Sequence, residues 1–149
     1  MRVVLDTNIL VRAAGGSRGP AKEVLQYVVS SPQRVLILSP FLLAELERVA
    51  SYPRVRAATK LNAEEMAAYL AYLISPMVSE IVSSTAAPHI VPADPDDDEV
   101  VHTAVVGRAD WLCTLNRHFY EPVVLGYCNQ RGIRIGTDLD LLRILRTLV

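Results

Sequence analysis

Acidic side chains recur at three separated places in this chain, and together they have the chemistry of a divalent-cation site. Asp6 directly follows a short apolar run, Glu45 lies in a helix-like segment, and Asp98 lies at the start of another. Hard cations such as Mg²⁺ take oxygen ligands, keep several waters and are typically held by a few carboxylates plus substrate phosphate. The pattern therefore predicts a shared acidic metal site built from Asp6, Glu45 and Asp98.

Each of these acids also has a structural interpretation. Asp6 suits the cap of a strand-to-helix turn, and Glu45 borders the apolar stripe of its helix. Residues 94–99 include Asp94, Asp96, Asp97, Asp98 and Glu99. One or two carboxylates are enough to stabilise a helix N-terminus, and a larger number repel one another. A bound cation relieves this repulsion, so we favour the metal site.

The hydrophobic pattern indicates strands and helices in alternation. The strand-like segments are residues 3–5, 34–38, 111–114 and 132–136, with 80–84 and 89–91 as less regular candidates. The helix-like segments are residues 8–14, 21–29, 41–50, 62–74, 99–108 and 137–148. This order is typical of a parallel sheet with helices on both faces, in which ligands bind beyond the carboxyl ends of the strands. The three acidic features fall at that edge.

Prolines, glycines and capping residues mark where the helices begin and end. The Gly- and Pro-containing segment 15–20 ends the first helix, and Ser39 with Pro40 begins the third. The dipeptide 52–53 interrupts the chain after that helix, and Asn62 begins a capping box. These signals divide the chain into short elements without a linker, which favours one domain over residues 1–149.

The composition limits the classes of protein that the chain belongs to. It is 51% hydrophobic, and its two cysteines and three scattered histidines argue against a zinc site. A net charge of −1 does not indicate a nucleic-acid binder, although a local group of arginines would suffice. No apolar run approaches the roughly 20 residues that span a bilayer. Since the N-terminus also lacks a signal-peptide pattern, we expect a cytoplasmic protein.

Three segments, in order along the chain, resemble the motifs of the PIN-domain family. They are residues 3–10, residues 39–46, and residues 94–98 followed by 104 and 109–114. The third segment is close to the VapC-like branch, the toxins of toxin–antitoxin pairs. The resemblance covers nearly the whole chain. It implies a three-layer α/β/α fold with a central, mostly parallel sheet of four to five strands, and the activity of a divalent-metal endoribonuclease.

The resemblance also implies roles for individual residues. Asp6, Glu45 and Asp98 match the core acids of the family, and Asp97 takes the place of Asp98 if the register shifts by one. The residues that resemble the polar supports of the acidic site are Thr7, Asn8, Thr114 and Asn116. Family members often have a fourth acid where this chain has Asn116, which offers an oxygen but no charge.

The implied reaction is hydrolysis of RNA by a metal-activated water. One or two Mg²⁺ or Mn²⁺ ions would bind the scissile phosphate and stabilise its developing charge. The carboxylate of Asp6 or Asp98 would orient the water or accept its proton. The candidates for holding the RNA backbone are Arg12, Arg48, Arg117 and His118. A site of this kind is expected to recognise RNA by shape or by an unpaired loop.

Three alternatives have to be weighed against this interpretation. A phosphatase of the haloacid-dehalogenase type also begins with a strand ending in Asp, but it needs a second carboxylate where this chain has Asn8. A PIN-like module without catalysis is favoured by the missing fourth acid and opposed by the three retained ones. An RNA-processing or repair nuclease would use the same chemistry outside a toxin–antitoxin pair.

Partners are predicted from the class and from the apolar helices. A toxin would be blocked by a small antitoxin protein that covers the acidic pocket. The apolar residues of segments 21–29 and 62–74 exceed what one small core obviously needs. We therefore predict a homodimer. The activity that the resemblance implies predicts RNA as its substrate.

Overall fold

A five-stranded, fully parallel β-sheet forms the centre of the protein. The structure is a computed structural model and describes residues 1–16, 18–83 and 86–148. The strands are β1 (Arg2–Leu5), β2 (Val35–Leu38), β3 (Ser79–Ile81), β4 (Trp111–Cys113) and β5 (Arg134–Gly136), in the spatial order β3-β2-β1-β4-β5. The predicted α/β fold with a mostly parallel sheet of four to five strands is thereby confirmed.

Helices cover both faces of the sheet. They are α1 (Thr7–Ala13), α2 (Pro20–Val29), α3 (Pro40–Ala50), α4 (Pro53–Thr59), α5 (Ala63–Ile74), α6 (Pro95–Val106), α7 (Pro122–Asn129), α8 (Asp138–Thr147) and a 3₁₀ helix (Arg117–Tyr120). Successive strand residues point to opposite faces. Val3 and Leu5 accordingly join one apolar cluster with α1, α2 and α8, whereas Val4 joins another with α6 and α7. The layers are therefore helix, sheet and helix.

The strand order places a crevice beside the central strand. The chain runs from β1 outward to β2 and β3, then returns to the other side of β1 for β4 and β5. In the register of the sheet, Val4 of β1 lies between Ile37 of β2 and Leu112 of β4. The order reverses at β1, and open parallel sheets bind their ligands at such a switch point, beyond the carboxyl ends of the strands.

Four of the predicted strand segments correspond to β1, β2, β4 and β5, with ends that differ by one or two residues. β3 (Ser79–Ile81) overlaps the predicted segment 80–84, whose last residue, Ser84, lies outside the described residues. Ser17, in the predicted break 15–20, also lies outside them. Residues 89–91 form no strand, because the backbone N–H groups of Ile90 and Val91 donate to the carboxylate of Asp98.

The helix α4, the 3₁₀ helix and α7 are absent from the sequence prediction. Both α4 and α7 begin with a proline, Pro53 and Pro122 respectively. Proline suits the first helical position, where its missing N–H has no partner to lose, as well as it suits a break. The predicted break at residues 52–53 agrees with the end of α3 at Ala50, but helix α4 already begins at Pro53.

None of the helices formed by the described residues combines the length and the apolar composition needed to cross a membrane.

Replacing Leu36 by alanine tests the position of β2 inside the sheet. Leu36 is fully buried and pairs with Val3 on one side and Ser79 on the other. Leu36→Ala is expected to lower the free energy of unfolding by about 2–5 kcal/mol, because the cavity does not refill. The matched control is Ile81→Ala on the edge strand β3, where the side chain is 42% exposed and a loss below about 1 kcal/mol is expected. Equal losses in urea denaturation would contradict the strand order.

Candidate active site

Asp6 lies where β1 ends and α1 begins, and it is held by four neighbouring residues. Its backbone N–H donates to the carbonyl of Cys113 at 3.0 Å, which extends the pairing of β1 with β4. Its Oδ1 accepts from the backbone N–H of Thr7 at 2.7 Å, so Asp6 caps α1. Its Oδ2 accepts from the Thr114 hydroxyl at 2.7 Å and from the Asn8 amide at 3.1 Å. The carboxylate is thus buried in a fixed orientation.

The electrostatic surroundings of Asp6 disfavour its negative charge. The pKa of Asp6 is raised to about 6, because burial and the charges of Glu45 and Asp97 together outweigh the opposing effect of the donors Thr114 and Thr7. Glu45 and Asp97 are therefore close enough to act on this carboxylate. A cation bound between these groups would relieve their repulsion.

Glu45 reaches the site from α3. This helix is started by Ser39, whose hydroxyl accepts from the third helical N–H, and by Pro40 in its first turn. The Oε2 atom of Glu45 accepts from the Thr7 hydroxyl at 2.8 Å, and its Oε1 lies 3.7 Å from the guanidinium of Arg48. Thr7 therefore connects α3 to the turn that carries Asp6.

Asp97 reaches the site from the first turn of α6. Its Oδ2 accepts from the Asn116 amide at 3.1 Å and lies 3.2 Å from Nδ1 of His118. The backbone N–H of Asn116 donates to the Thr114 hydroxyl at 3.0 Å, and Thr114 in turn donates to Asp6. Burial and the charge of Asp94 raise the pKa of Asp97, against the opposing effect of His118 and Asn116. Asp97 and Asp6 thus share one network of hydrogen bonds.

Asp98 faces another part of the protein. Its Oδ1 accepts from the backbone N–H groups of Ile90, at 2.7 Å, and Val91, and its Oδ2 lies 3.1 Å from Nδ1 of His89. Burial opposes ionisation, but the N–H groups of Val91 and Ile90, together with His89, outweigh it and lower the pKa of Asp98. Asp98 therefore anchors the segment that precedes α6.

The geometry favours Asp97 over Asp98 as the third acid of the predicted trio. Successive residues of a helix point about 100° apart, so two neighbouring acids cannot face the same place. The structure brings Asp97 toward Asp6 and Glu45 and directs Asp98 toward Ile90 and Val91.

The three acids have the chemistry of a hydrated cation site rather than of a closed cage. Within residues 1–16, 18–83 and 86–148, no three His, Cys, Asp or Glu side chains converge as a complete metal-binding group. Mg²⁺ usually keeps several waters and needs only one or two carboxylates with substrate phosphate. The oxygen donors Asp6, Glu45 and Asp97 fit that requirement, since the causes that act on the buried Asp6 carboxylate within the described ranges include two acids and no basic side chain.

The predicted substrate-binding residues occupy different surroundings. Arg12 on α1 lies 3.9 Å from Asp138, and Arg48 donates to the Tyr52 hydroxyl besides its contact with Glu45. Arg117 is exposed at the start of the 3₁₀ helix, and His118 contacts Asp97. Two of these residues thus act on the acids themselves.

Asp138 is a buried acid at the same edge, which the sequence analysis placed only within the last helix-like segment, residues 137–148. It follows β5 as the first residue of α8, a position equivalent to that of Thr7 after β1 and Asp6. The signal available in the sequence was its place shortly after a predicted strand.

Fold and site together define an α/β protein with an acidic centre at the carboxyl edge of a parallel sheet. The family model described as PIN domain matches residues 2–118, which include Asp6, Glu45 and Asp97. The chain belongs to the PIN domain family, and this membership indicates a nuclease. A comparison with curated proteins finds no match.

Adjacent substitutions distinguish the two acids at the start of α6. At neutral pH, Asp98→Asn is expected to lower the free energy of unfolding by about 1–3 kcal/mol, because buried N–H donors lose a charged acceptor. The folded-state pKa of Asp98 lies below its ordinary value of 3.8, so its contribution is present above about pH 4 and is lost as the pH falls through the lower, folded-state value. Urea denaturation between pH 7 and pH 3 measures this loss.

The matched variant is Asp97→Asn. Because the pKa of Asp97 is raised, its ionised form is disfavoured by folding, and removing the charge should leave stability at pH 7 unchanged or higher. A loss as large as that of Asp98→Asn would contradict the assignment of Asp97 to the site.

Proposed function

We propose that this protein is a divalent-metal-dependent endoribonuclease that hydrolyses RNA phosphodiester bonds at the acidic centre around Asp6. The observation that carries the proposal is the buried Asp6 carboxylate, whose pKa is raised to about 6 by burial and by the nearby charges of Glu45 and Asp97. Proteins rarely keep such a group without function, since perturbed carboxylates concentrate at catalytic sites. The PIN domain match gives the same class of activity.

Asp6 would hold Mg²⁺ or Mn²⁺ together with Asp97 or Glu45. A divalent cation at this place supplies positive charge to the scissile phosphate and lowers the pKa of a water. Thr114 and Asn8 keep Oδ2 of Asp6 in one orientation, and Asn116 and His118 do the same for Asp97.

The remaining steps belong to the side chains around the acids. A carboxylate oxygen of Asp6 or Asp97 orients the attacking water and accepts its proton. Arg12, Arg48 and Arg117 offer positive charge for the flanking phosphates, since phosphate contacts supply most of the affinity of nucleic-acid binding. An unpaired RNA segment suits such a site, because it exposes both its backbone and its bases.

The biological role that we favour is that of the toxin of a toxin–antitoxin pair in the cytoplasm. Its support is the resemblance of residues 94–98 and 109–114 to the VapC-like branch. An antitoxin would act by covering the acidic edge. An RNA-processing nuclease is the alternative with the same chemistry, and growth arrest on expression, relieved by a small protein from a neighbouring gene, distinguishes the toxin from it.

Nuclease activity is tested by comparing the wild type with Asp6→Asn in Mg²⁺, Mn²⁺ and chelator. Asp6→Asn is expected to lower RNA cleavage by more than about 100-fold, beyond the effect typical of residues that only support a metal ligand. The matched control is Asp96→Asn, an exposed acid of the acidic segment 94–99, which should retain activity. Cleavage by Asp6→Asn at the wild-type rate, or cleavage unaffected by chelator, would contradict the proposal.

Thermal unfolding of the same proteins separates activity from folding. The pKa of Asp6 is raised to about 6, so its ionisation costs stability increasingly as the pH rises from about 4 to 6. Asp6→Asn should therefore melt no lower than the wild type at pH 7. Mg²⁺ should raise the melting temperature of the wild type by binding the folded state, and it should not raise that of the variant.

Homodimerisation is a further part of the proposal, but fewer exposed apolar residues support it than the sequence indicated. The apolar residues of α2 pack inside a single chain against α1 and α8. Exposed apolar side chains remain at the end of α5 and just after it: Tyr72, Ile74 and Met77. We expect a dimer through this surface in light scattering, which Met77→Glu converts to a monomer. A wild-type monomer at high concentration would contradict the dimer.

A further inference from the structure

Asp138 is a buried carboxylate that the proposed reaction does not use. Its side chain is 4% exposed, and its Oδ1 accepts from the backbone N–H of Leu139 at 3.0 Å. Its Oδ2 is buried and has no hydrogen-bond donor in the described part of the chain. Buried carboxylate oxygens in folded proteins normally have a donor or a cation as partner, so this atom calls for an explanation.

The cation that faces this oxygen is Arg12. Its Nη2 lies 3.9 Å from Oδ2 of Asp138, within the range of an ion pair and beyond that of a hydrogen bond. The Arg12 side chain is 56% exposed. A guanidinium presents five donors in a rigid fork, so Asp138 attracts one edge of Arg12 and leaves the other edge open to solvent.

Arg12 is linked to the acidic centre through helix α1. It follows Asn8 by four residues, and residues at this spacing lie on the same face of a helix. The Asn8 amide donates to Oδ2 of Asp6. With a rise of 1.5 Å per residue, Arg12 lies about 9 Å along the helix axis from Asp6. That separation suits a phosphate beside the scissile one.

A cleft adjoins Arg12. It has a volume of ≈ 270 Å³ and is lined by Arg12 and Arg18 among others. A neighbouring cleft of ≈ 340 Å³ is lined by Arg18 and Lys22. Arg12 and Arg18 give the first cleft positive charge, which attracts a polyanion, whereas the second cleft is also lined by the acid Glu23.

We propose that Asp138 is a positioning residue that holds Arg12 so that its open edge binds the RNA phosphate next to the scissile one. This inference rests on the proposed ribonuclease function. Asp6, Glu45 and Asp97 already repel an approaching strand, and a further carboxylate at this edge would add to the repulsion. Its placement is explained if it orients an arginine, because arginine binds phosphate best through two parallel N–H donors.

The test is RNA binding in chelator, measured by fluorescence anisotropy with a short single-stranded RNA. Arg12→Ala is expected to raise the Kd about tenfold, as the loss of one charged contact does. Asp138→Asn removes a negative charge, which alone would strengthen binding of RNA. The proposal predicts the opposite sign, a Kd raised at least about threefold, and a double variant no weaker than Arg12→Ala, because coupled residues are not additive.

Control variants separate positioning from general effects of charge and stability. Glu80→Gln removes one negative charge from the ion pair with Arg2 (2.9 Å), at the end of β1 opposite Asp6, and should not weaken binding. Arg12→Lys keeps the charge but lacks the fork, and it should raise the Kd as Asp138→Asn does. Arg12 is exposed, so this variant decides the question if Asp138→Asn does not fold.

Binding by Asp138→Asn at the wild-type Kd or tighter overturns the positioning role, as does an Arg12→Lys variant that binds like the wild type. If the wild type instead neither binds nor cleaves RNA, the ribonuclease proposal fails and this inference fails with it.

Discussion

The structure of the site depends on keeping one negative charge, that of Asp6, buried at the end of a central strand. Burial, together with the charges of two further acids, raises the pKa of this carboxyl group to about 6. Hydrogen bonds from Thr114, Asn8 and the N–H of Thr7 offset part of that cost. The parallel sheet makes this arrangement accessible, because the carboxyl ends of β1 and β4 meet where the strand order reverses.

The acidic run at the start of α6 serves two purposes through adjacent residues. Asp97 points into the network of Asn116 and His118, and its pKa is raised, chiefly by burial. Asp98 accepts two backbone N–H groups, and its pKa is lowered. Folding therefore stabilises the ionised form of Asp98 and disfavours the ionised form of Asp97. Asp98 fixes the start of α6, and the helix in turn positions Asp97.

The alternation of elements and the sheet class followed from short continuous apolar runs such as residues 3–5, which suit buried parallel strands, and from the helical spacing of apolar residues between them. Helices that begin with proline, α4 and α7, were missed because proline indicates a break as readily as a first turn. The proximity of Asp6 and Glu45 was predicted from their places after strands, and the charge of Glu45 does act on Asp6. The choice between Asp97 and Asp98 was not accessible, since helix phase depends on a boundary that sequence sets only within a few residues.

Asn116 places an uncharged amide donor shortly after the end of β4. Its amide hydrogen-bonds to Asp97 and its carbonyl oxygen caps the 3₁₀ helix, whereas an aspartate in the same place would face Asp97 with a like charge. Hydrogen bonds within the chain thus order its acidic edge. If the protein binds the proposed cation, the cation would meet carboxylates that these hydrogen bonds already orient.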